Sequence, residues 1–126
     1  MKQKFSEKRL FAIRWAVQCL NTQNDIQTHT LALYDEILSK NELSEKDIVS
    51  VIFSVTKDLD AKNPATALRS QGRAETISLF VNQEAHFPGS MERLIRVLIH
   101  CYLDVLSTPV HVYQNGAELL RPDINN

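Results

Sequence analysis

One run of β-branched residues constrains the fold more than any other part of this chain. Residues 48–56 read Ile-Val-Ser-Val-Ile-Phe-Ser-Val-Thr. β-Branched and aromatic side chains fit the pleated surface of a sheet and lose rotamer freedom in a helix. The run therefore predicts a central strand, and the rest of the chain must supply its neighbours.

Two further segments predict long strands. Side chains in residues 9–17 alternate between two faces, which is the periodicity of a strand. One face carries Phe11, Ile13, Trp15 and Val17, and the other carries Leu10, Ala12, Arg14 and Ala16. The apolar residues 94–103 fit a buried strand or a buried helix, and their β-branched members Ile95, Val97 and Ile99 favour the strand.

Three shorter segments also predict strands. Residues 76–81 form a compact apolar run, and residues 110–113 and 119–120 lie on either side of Asn115-Gly116, a pair typical of tight turns.

Two segments predict helices. After possible N-cap residues at positions 21–25, apolar residues recur at helical spacing to about Lys40. Pro64 suits the first turn of a short helix over residues 65–71, which Gly72 can end with a positive φ. The order β-α-β-α-β-β-β predicts an α+β fold in which helices cover a mixed β-sheet.

Composition bounds the domain organisation and the partners. The 126 residues suit one domain, assigned to residues 9–126 behind a flexible N-terminal extension of residues 1–8. A formal net charge of −1 gives no bulk attraction to nucleic acid or to a membrane surface. No apolar run is long enough to cross a membrane or to serve as a signal peptide, so we expect a cytoplasmic protein.

Familiar catalytic motifs are missing from the sequence. It has no Gly-rich phosphate loop, no HExxH and no GxSxG, and its four histidines are dispersed. Cys19 and Cys101 have no metal-ligand spacing, so we expect them to be buried thiols. His100, inside an apolar run, predicts a hydrogen-bonded structural histidine. Metal catalysis and serine hydrolysis are therefore disfavoured.

The unusual feature is charge placed inside strands, at Arg14 and Arg96. A buried guanidinium needs a partner, because an uncompensated charge in the interior costs several kcal/mol or more. The residues alone leave two interpretations open, a structural ion pair with Asp or Glu and a site for an anionic ligand. Arg69 and Arg121, taken alone, would be ordinary surface residues.

Four pieces of the sequence resemble the trimeric chorismate mutase family, in the same order and at matching separations. They are residues 12–14, 58–69, 83–100 and 119–123. The most specific piece is Gln83-Glu84, followed after a Pro-Gly-Ser turn by Ile95-Arg96-Val97. The resemblance extends over residues 10–123, nearly the whole chain.

The resemblance implies a homotrimer with a pseudo-α/β-barrel architecture and active sites at subunit interfaces. It also implies an isomerase of aromatic amino acid biosynthesis that converts chorismate to prephenate, with no cofactor and no metal. The implied catalytic residues are Arg96, Glu84 and Arg14. The residues implied in substrate binding are Tyr113, Arg69, Ala65, Leu79, Phe80, Val81 and Arg121.

Each implied role suits the residue type. Arg14 and Tyr113 would bind the carboxylate of the enolpyruvyl side chain, and Arg96 would contact that carboxylate and the ether oxygen. Glu84 would hold the substrate hydroxyl. A Claisen rearrangement within one molecule needs no nucleophile, so the enzyme must restrict conformation and stabilise negative charge on the ether oxygen. Arginine stays protonated and reaches two oxygens at once.

Three positions depart from the family pattern. Thr66 stands where a lysine is usual, Asn63 where an aromatic residue is common, and Trp15 where a glycine usually follows the first arginine. Two alternatives remain, a non-catalytic or enamine-hydrolysing trimer that binds a small metabolite and a purely structural module. The presence of both Glu84 and Arg96 favours the mutase.

Overall fold

The computed structural model describes residues 7–120, which form five strands, two α-helices and two short 3₁₀ helices. The α-helices and strands are β1 (Lys8–Gln18), α1 (Gln23–Lys40), β2 (Ile48–Val55), α2 (Pro64–Ser70), β3 (Ser78–Gln83), β4 (Leu94–Asp104) and β5 (Val112–Gln114). The predicted order of helices and strands is confirmed, and so is the strand assignment of residues 94–103.

The strands form one mixed sheet in the order β3-β2-β4-β1-β5. The central strand β4 is antiparallel to both β1 and β2. The outer strands β3 and β5 run parallel to β2 and β1, respectively. The α+β fold with a mixed sheet is therefore confirmed.

Both helices lie on one face of the sheet, which we call the inner face. The alternation in β1 decides this, since Phe11, Ile13, Trp15 and Val17 are buried whereas Leu10, Ala12 and Arg14 are exposed. The inner side chains of β2 and β4 join the same core as the apolar stripe of α1. The opposite face, the outer face, carries Arg14 and Arg96.

Local capping explains where the helices begin. Thr22 Oγ1 accepts a hydrogen bond from the backbone N–H of Asp25 at 3.0 Å, which satisfies a donor of the first turn of α1. Asn63 Oδ1 accepts from the backbone N–H of Ala65 at 2.8 Å, and Pro64 follows in the first turn of α2. Gly72 has φ +76°, as predicted for the residue that ends α2.

The end of the chain differs from the prediction. Residues 119–120 lie in a 3₁₀ helix, Ala117–Leu120, so the predicted short strand there is wrong. Gly116 has φ +99°, which turns the backbone away from the sheet after β5. The fifth strand also begins two residues later than predicted, because the backbone of Val110 bonds to the side chain of Asn41 instead of to β1.

Smaller differences occur at two strand starts. β1 begins at Lys8, one residue earlier than predicted, and Lys8 pairs with Asp47 at 3.1 Å. β3 begins at Ser78 instead of residue 76, because the backbone N–H of Ile77 donates to Ala74 in a turn. Residues 1–6 of the predicted N-terminal extension lie outside the described part of the chain.

Polar side chains hold β5 against α1. Gln114 Nε2 donates to both carboxylate oxygens of Glu36, at 2.8 and 2.9 Å. The Lys40 side chain, one turn later on α1, bonds to the same carboxylate and lowers the pKa of Glu36. This ionised group fixes the short strand that carries Tyr113.

Two buried cysteines and the half-buried His100 are structural. Burial raises the pKa of the Cys19 and Cys101 thiols to about 11, so both stay protonated and unreactive at neutral pH. His100 Nδ1 lies 3.1 Å from Ser50 Oγ, which confirms the prediction of a hydrogen-bonded histidine. None of the helices within residues 7–120 is long and apolar enough to cross a membrane.

Candidate active site

A cavity of about 370 Å³ lies on the outer face where β2, β4, β1 and β5 are adjacent. Arg14, Arg96 and Tyr113 contribute polar groups to its lining. The rest of the lining is mainly apolar and comprises Trp15, Ile52, Ser54, Val97, Leu98 and Leu120. A pocket with apolar walls and a few convergent polar groups is the usual form of a small-molecule site.

Strand register brings these groups together. Arg96 on β4 lies opposite Ser54 on β2 and opposite Ala16 on β1. Tyr113 on β5 lies opposite Ala16 on its other side. Arg14 is two residues before Ala16, so it projects from the same face. The pairing of the strands therefore places two guanidinium groups and a phenol around one cavity.

Glu84 forms an ion pair with Arg96. The Nε atom of Arg96 lies 3.1 Å from Glu84 Oε1, and Ser54 Oγ donates to the same oxygen at 3.2 Å. The backbone N–H of Glu84 donates to the carbonyl of Val55 at 2.7 Å, which extends the pairing of β2 and β3 by one residue. The carboxylate is thus fixed beside the first cavity.

A second, more polar groove adjoins the first cavity. It measures about 620 Å³ and shares Ser54 and Arg96 with its neighbour. Its other lining residues are Asn82, Gln83, Glu84, Ala85, Phe87 and Ser90. The carboxylate therefore belongs to a continuous depression in the outer face rather than to a separate site.

Arg14 differs from Arg96 in its surroundings. Within residues 7–120 no carboxylate pairs with Arg14, and Arg14 is exposed in the single chain. Its backbone N–H donates to Nδ1 of His111 at 3.0 Å, which ties the segment before β5 to β1. The sequence left two interpretations open, an ion pair and a site for an anionic ligand. Arg96 forms an ion pair with Glu84, whereas Arg14 is exposed at the cavity, as a site for an anionic ligand requires.

Comparisons with known proteins agree with this geometry. The model of the chorismate mutase type I family matches residues 10–124. The chain belongs to this family. It is 30% identical to the chorismate mutase AroH of Bacillus subtilis over 83% of this chain and 84% of the relative. It is 36% identical to the chorismate mutase AroH of Thermus thermophilus over 84% of this chain and 88% of the relative.

A solved structure shows the same fold. The chorismate mutase from Clostridium thermocellum is 42% identical and superposes with a TM-score of 0.79, over 86% of this chain and 98% of that chain. The protein is therefore an enzyme of the chorismate mutase family, which isomerises chorismate to prephenate.

Several residues that the resemblance assigned to the site do not line the cavity in this chorismate mutase. Phe80 is exposed on β3 beside Ile52 of the lining, but two strands separate it from β1, which carries Arg14. Ala65, Leu79 and Val81 pack against the core on the inner face. Arg121 lies outside the described residues.

Arg69 has local partners. Its Nη2 donates to the carbonyl of Ile77 at 2.7 Å, and its Nε donates to that of Ala74 at 3.4 Å. These bonds hold the turn between α2 and β3, on the side of the sheet remote from the cavity. One chain therefore brings together Arg14, Glu84, Arg96 and Tyr113, but not the α2–β3 residues.

Sequence reasoning missed part of the lining. Ile52 and Ser54 alternate on β2 with the buried Val51 and Phe53, so strand parity alone placed them on the face of Arg96. Leu98 follows from the same parity on β4. The signal was present in the alternation, but nothing in the sequence distinguished these positions until the strands were paired.

Proposed function

We propose that this chorismate mutase carries out its rearrangement in the cavity between Arg14 and Arg96, by conformational restriction and electrostatic stabilisation. The observation that supports this site is the placement of two guanidinium groups, one beside a fixed carboxylate, around an apolar cavity of about 370 Å³. A dianion with one hydroxyl matches this set of groups.

The roles of the residues follow from the charge changes in the reaction. As the carbon–oxygen bond breaks, negative charge grows on the ether oxygen, and a preorganised positive charge there lowers the barrier. Arg96 supplies that charge, and its forked guanidinium also reaches the enolpyruvyl carboxylate. Arg14 and Tyr113 hold this carboxylate, and Glu84 accepts a hydrogen bond from the substrate hydroxyl. Holding the bent conformer removes much of the entropic barrier.

The active enzyme is proposed to be a homotrimer. Leu10, Phe80 and Tyr102 are exposed on the outer face and Leu98 is half-buried, so residues 7–120 of a single chain leave this apolar surface uncovered. A large exposed apolar patch is the usual mark of an interface. Closed three-fold symmetry covers the same patch on every subunit.

The proposed trimer also gives a role to the implied site residues that do not line the cavity of their own chain. In this proposal the α2–β3 edge of one subunit meets the cavity of the next, and Ala65, Arg69, Leu79 and Phe80 complete a neighbour's site. Arg121 then helps to cover the ring carboxylate. The cytoplasmic location expected from the sequence forms part of the same proposal.

Two measurements test the proposed function. Chorismate is mixed with the purified protein, and the loss of its ultraviolet absorbance should be enzyme-dependent and saturable. Light scattering at micromolar concentration should give three times the mass of the chain. A protein without turnover would overturn the assigned site, and a stable active monomer would overturn the interfacial arrangement alone.

A further inference from the structure

Ser54 occupies a central place on the outer face that the roles given above leave unexplained. It lies on β2 directly opposite Arg96, and it lines both the cavity and the adjoining groove. The side chain is half-buried. A hydroxyl at the junction of two cavities, beside two charged groups, is well placed to act on the site.

The contacts of Ser54 are with Glu84. The hydroxyl donates to Glu84 Oε1 at 3.2 Å, while the next residue on β2, Val55, accepts from the Glu84 backbone N–H at 2.7 Å. Glu84 comes directly after β3, where strand pairing ends. Without Ser54, only the main chain of Glu84 would be tied to β2, and the carboxylate would be held by the Arg96 ion pair alone among the described residues, which restricts its rotamer less.

Both contacts of the carboxylate use the same oxygen. Arg96 Nε lies 3.1 Å from Oε1, the oxygen that also accepts from Ser54. No hydrogen bond or ion pair within the described residues involves Oε2. Glu84 Oε1 therefore has two partners, and Oε2 is left to accept from a hydrogen-bond donor of the ligand. Arg96 uses only Nε in this ion pair, so its two terminal nitrogens remain for the substrate.

We propose that Ser54 is a positioning residue, which orients the Glu84 carboxylate and, through it, the Arg96 guanidinium. This inference rests on the proposed function, because positioning has meaning only for the reaction at this site. Loss of Ser54 should lower mainly kcat. The reason is that a displaced Arg96 guanidinium stabilises less of the negative charge that develops in the transition state.

The chain offers a matched control at Ser50. Ser50 lies on the same strand and face, four residues earlier, but its hydroxyl is paired with His100 instead of Glu84. Ser50→Ala therefore removes the same group from the same strand without touching the carboxylate. It should leave kcat and KM within twofold of the parent.

The first measurement is steady-state kinetics with chorismate on folded variants of equal oligomeric state. Ser54→Ala should lower kcat about tenfold, which corresponds to about 1.4 kcal/mol in barrier, with KM changed less than about threefold. Ser54→Thr, which retains a hydroxyl on the strand, should recover most of the lost kcat. Ser54→Cys, nearly the same size with a weak donor, should give an intermediate loss and decides the matter if the alanine variant does not fold.

A double-mutant cycle with Glu84→Ala separates positioning from general damage. If Ser54 acts through Glu84, Ser54→Ala should change kcat less than twofold in the Glu84→Ala background, measured by single turnover at high enzyme concentration. A tenfold loss in that background as well, or a Ser54→Ala enzyme within twofold of the parent, would overturn the positioning role. A parent without chorismate turnover would overturn the proposed function and this role together.

Discussion

The two faces of the sheet differ in how far a single chain completes them. On the inner face, Ile13, Phe53 and Ile99 are fully buried beneath the helices. On the outer face, Leu10, Phe80 and Tyr102 remain exposed around two arginines and a cavity. The inner face contains what folding requires, and the outer face contains the groups that are proposed to serve the reaction and the assembly.

This difference teaches where a substitution should act. Inner side chains contribute free energy of folding through burial and close packing, so their loss should lower stability and leave the chemistry intact. Outer charged side chains contribute little to the stability of the chain, and their loss should lower turnover. The predictions below test that division on each face and at the boundary between them.

The largest expected effect is that of Arg96→Ala. Removing one preorganised donor to a developing negative charge costs about 100- to 1000-fold in kcat. The fold should be retained, because Arg96 is exposed on the outer face in the single chain. Parallel measurements of kcat, circular dichroism and light scattering test both halves of the prediction.

The matched variant Arg96→Lys sharpens the same test. A point ammonium lacks the forked geometry that reaches the ether oxygen, the carboxylate and Glu84 together, so little activity should return. A folded Arg96→Ala enzyme within about tenfold of the parent, a difference of only about 1.4 kcal/mol in barrier, would show that the assignment of Arg96 is wrong.

The second effect concerns the inner face, at Ile99→Ala. Ile99 is three residues from Arg96 on β4 but has no exposed surface, and truncation should cost about 3 kcal/mol in the free energy of unfolding. Denaturant unfolding measures this loss, and kcat per folded enzyme should stay within about twofold. Ile99→Val is the control, with an expected cost of about 1 kcal/mol. A large fall in kcat without a fall in stability would break the division between faces.

The inner face was also the part most open to prediction from the sequence. Alternation in β1 separated Phe11 and Ile13 from Arg14, and helical spacing identified the buried stripe of α1, because burial imposes a period on apolar residues. The ends of the sheet were less predictable. The apolar residues 119–120 are compatible with a strand and with a 3₁₀ helix. The turn at Gly116 decides for the 3₁₀ helix, and the sequence pattern did not reveal it.

The outer face could be predicted only in part. Charge inside strands pointed to Arg14 and Arg96, but the residues could not say whether each was paired. The answer depends on strand order, since Glu84 meets Arg96 only when β2 and β4 are adjacent and the backbone of Glu84 extends β3. The alternation of β2 assigned Ser54 to a face but gave it no role, because that role depends on its cross-strand partner Arg96.

A third, smaller effect is expected at the boundary between the two faces, with His111→Ala. Loss of the hydrogen bond from the Arg14 backbone to His111 should cost about 1 kcal/mol and loosen the segment that carries Tyr113. Since Arg14 and Tyr113 are proposed to bind the substrate carboxylate, KM should rise about fivefold with kcat changed less than twofold. His111→Asn places an amide oxygen near the position of Nδ1 and should restore KM; an equal defect in both variants would contradict the role of this bond.

The smallest effect tests the α2–β3 edge, which is proposed to meet the cavity of a neighbouring subunit. Thr66 is exposed on α2, and its backbone N–H donates to Asn63 Oδ1 at 3.4 Å. In the proposed trimer, Thr66→Lys places a cation near the ring carboxylate of the substrate in the adjacent subunit. An exposed ion pair contributes up to about 1 kcal/mol, so KM should fall about threefold, and the gain should shrink as salt is raised.

The Thr66→Lys charge should act equally on bound substrate and transition state, because the ring carboxylate takes no part in bond breaking. The expected signature is therefore a lower KM at constant kcat, which is uniform binding. Thr66→Gln lengthens the side chain without charge and should leave KM near that of the parent. A change in kcat at constant KM would place the α2 edge beside the reacting bond, and no change at any salt concentration would remove α2 from the site of the neighbouring subunit.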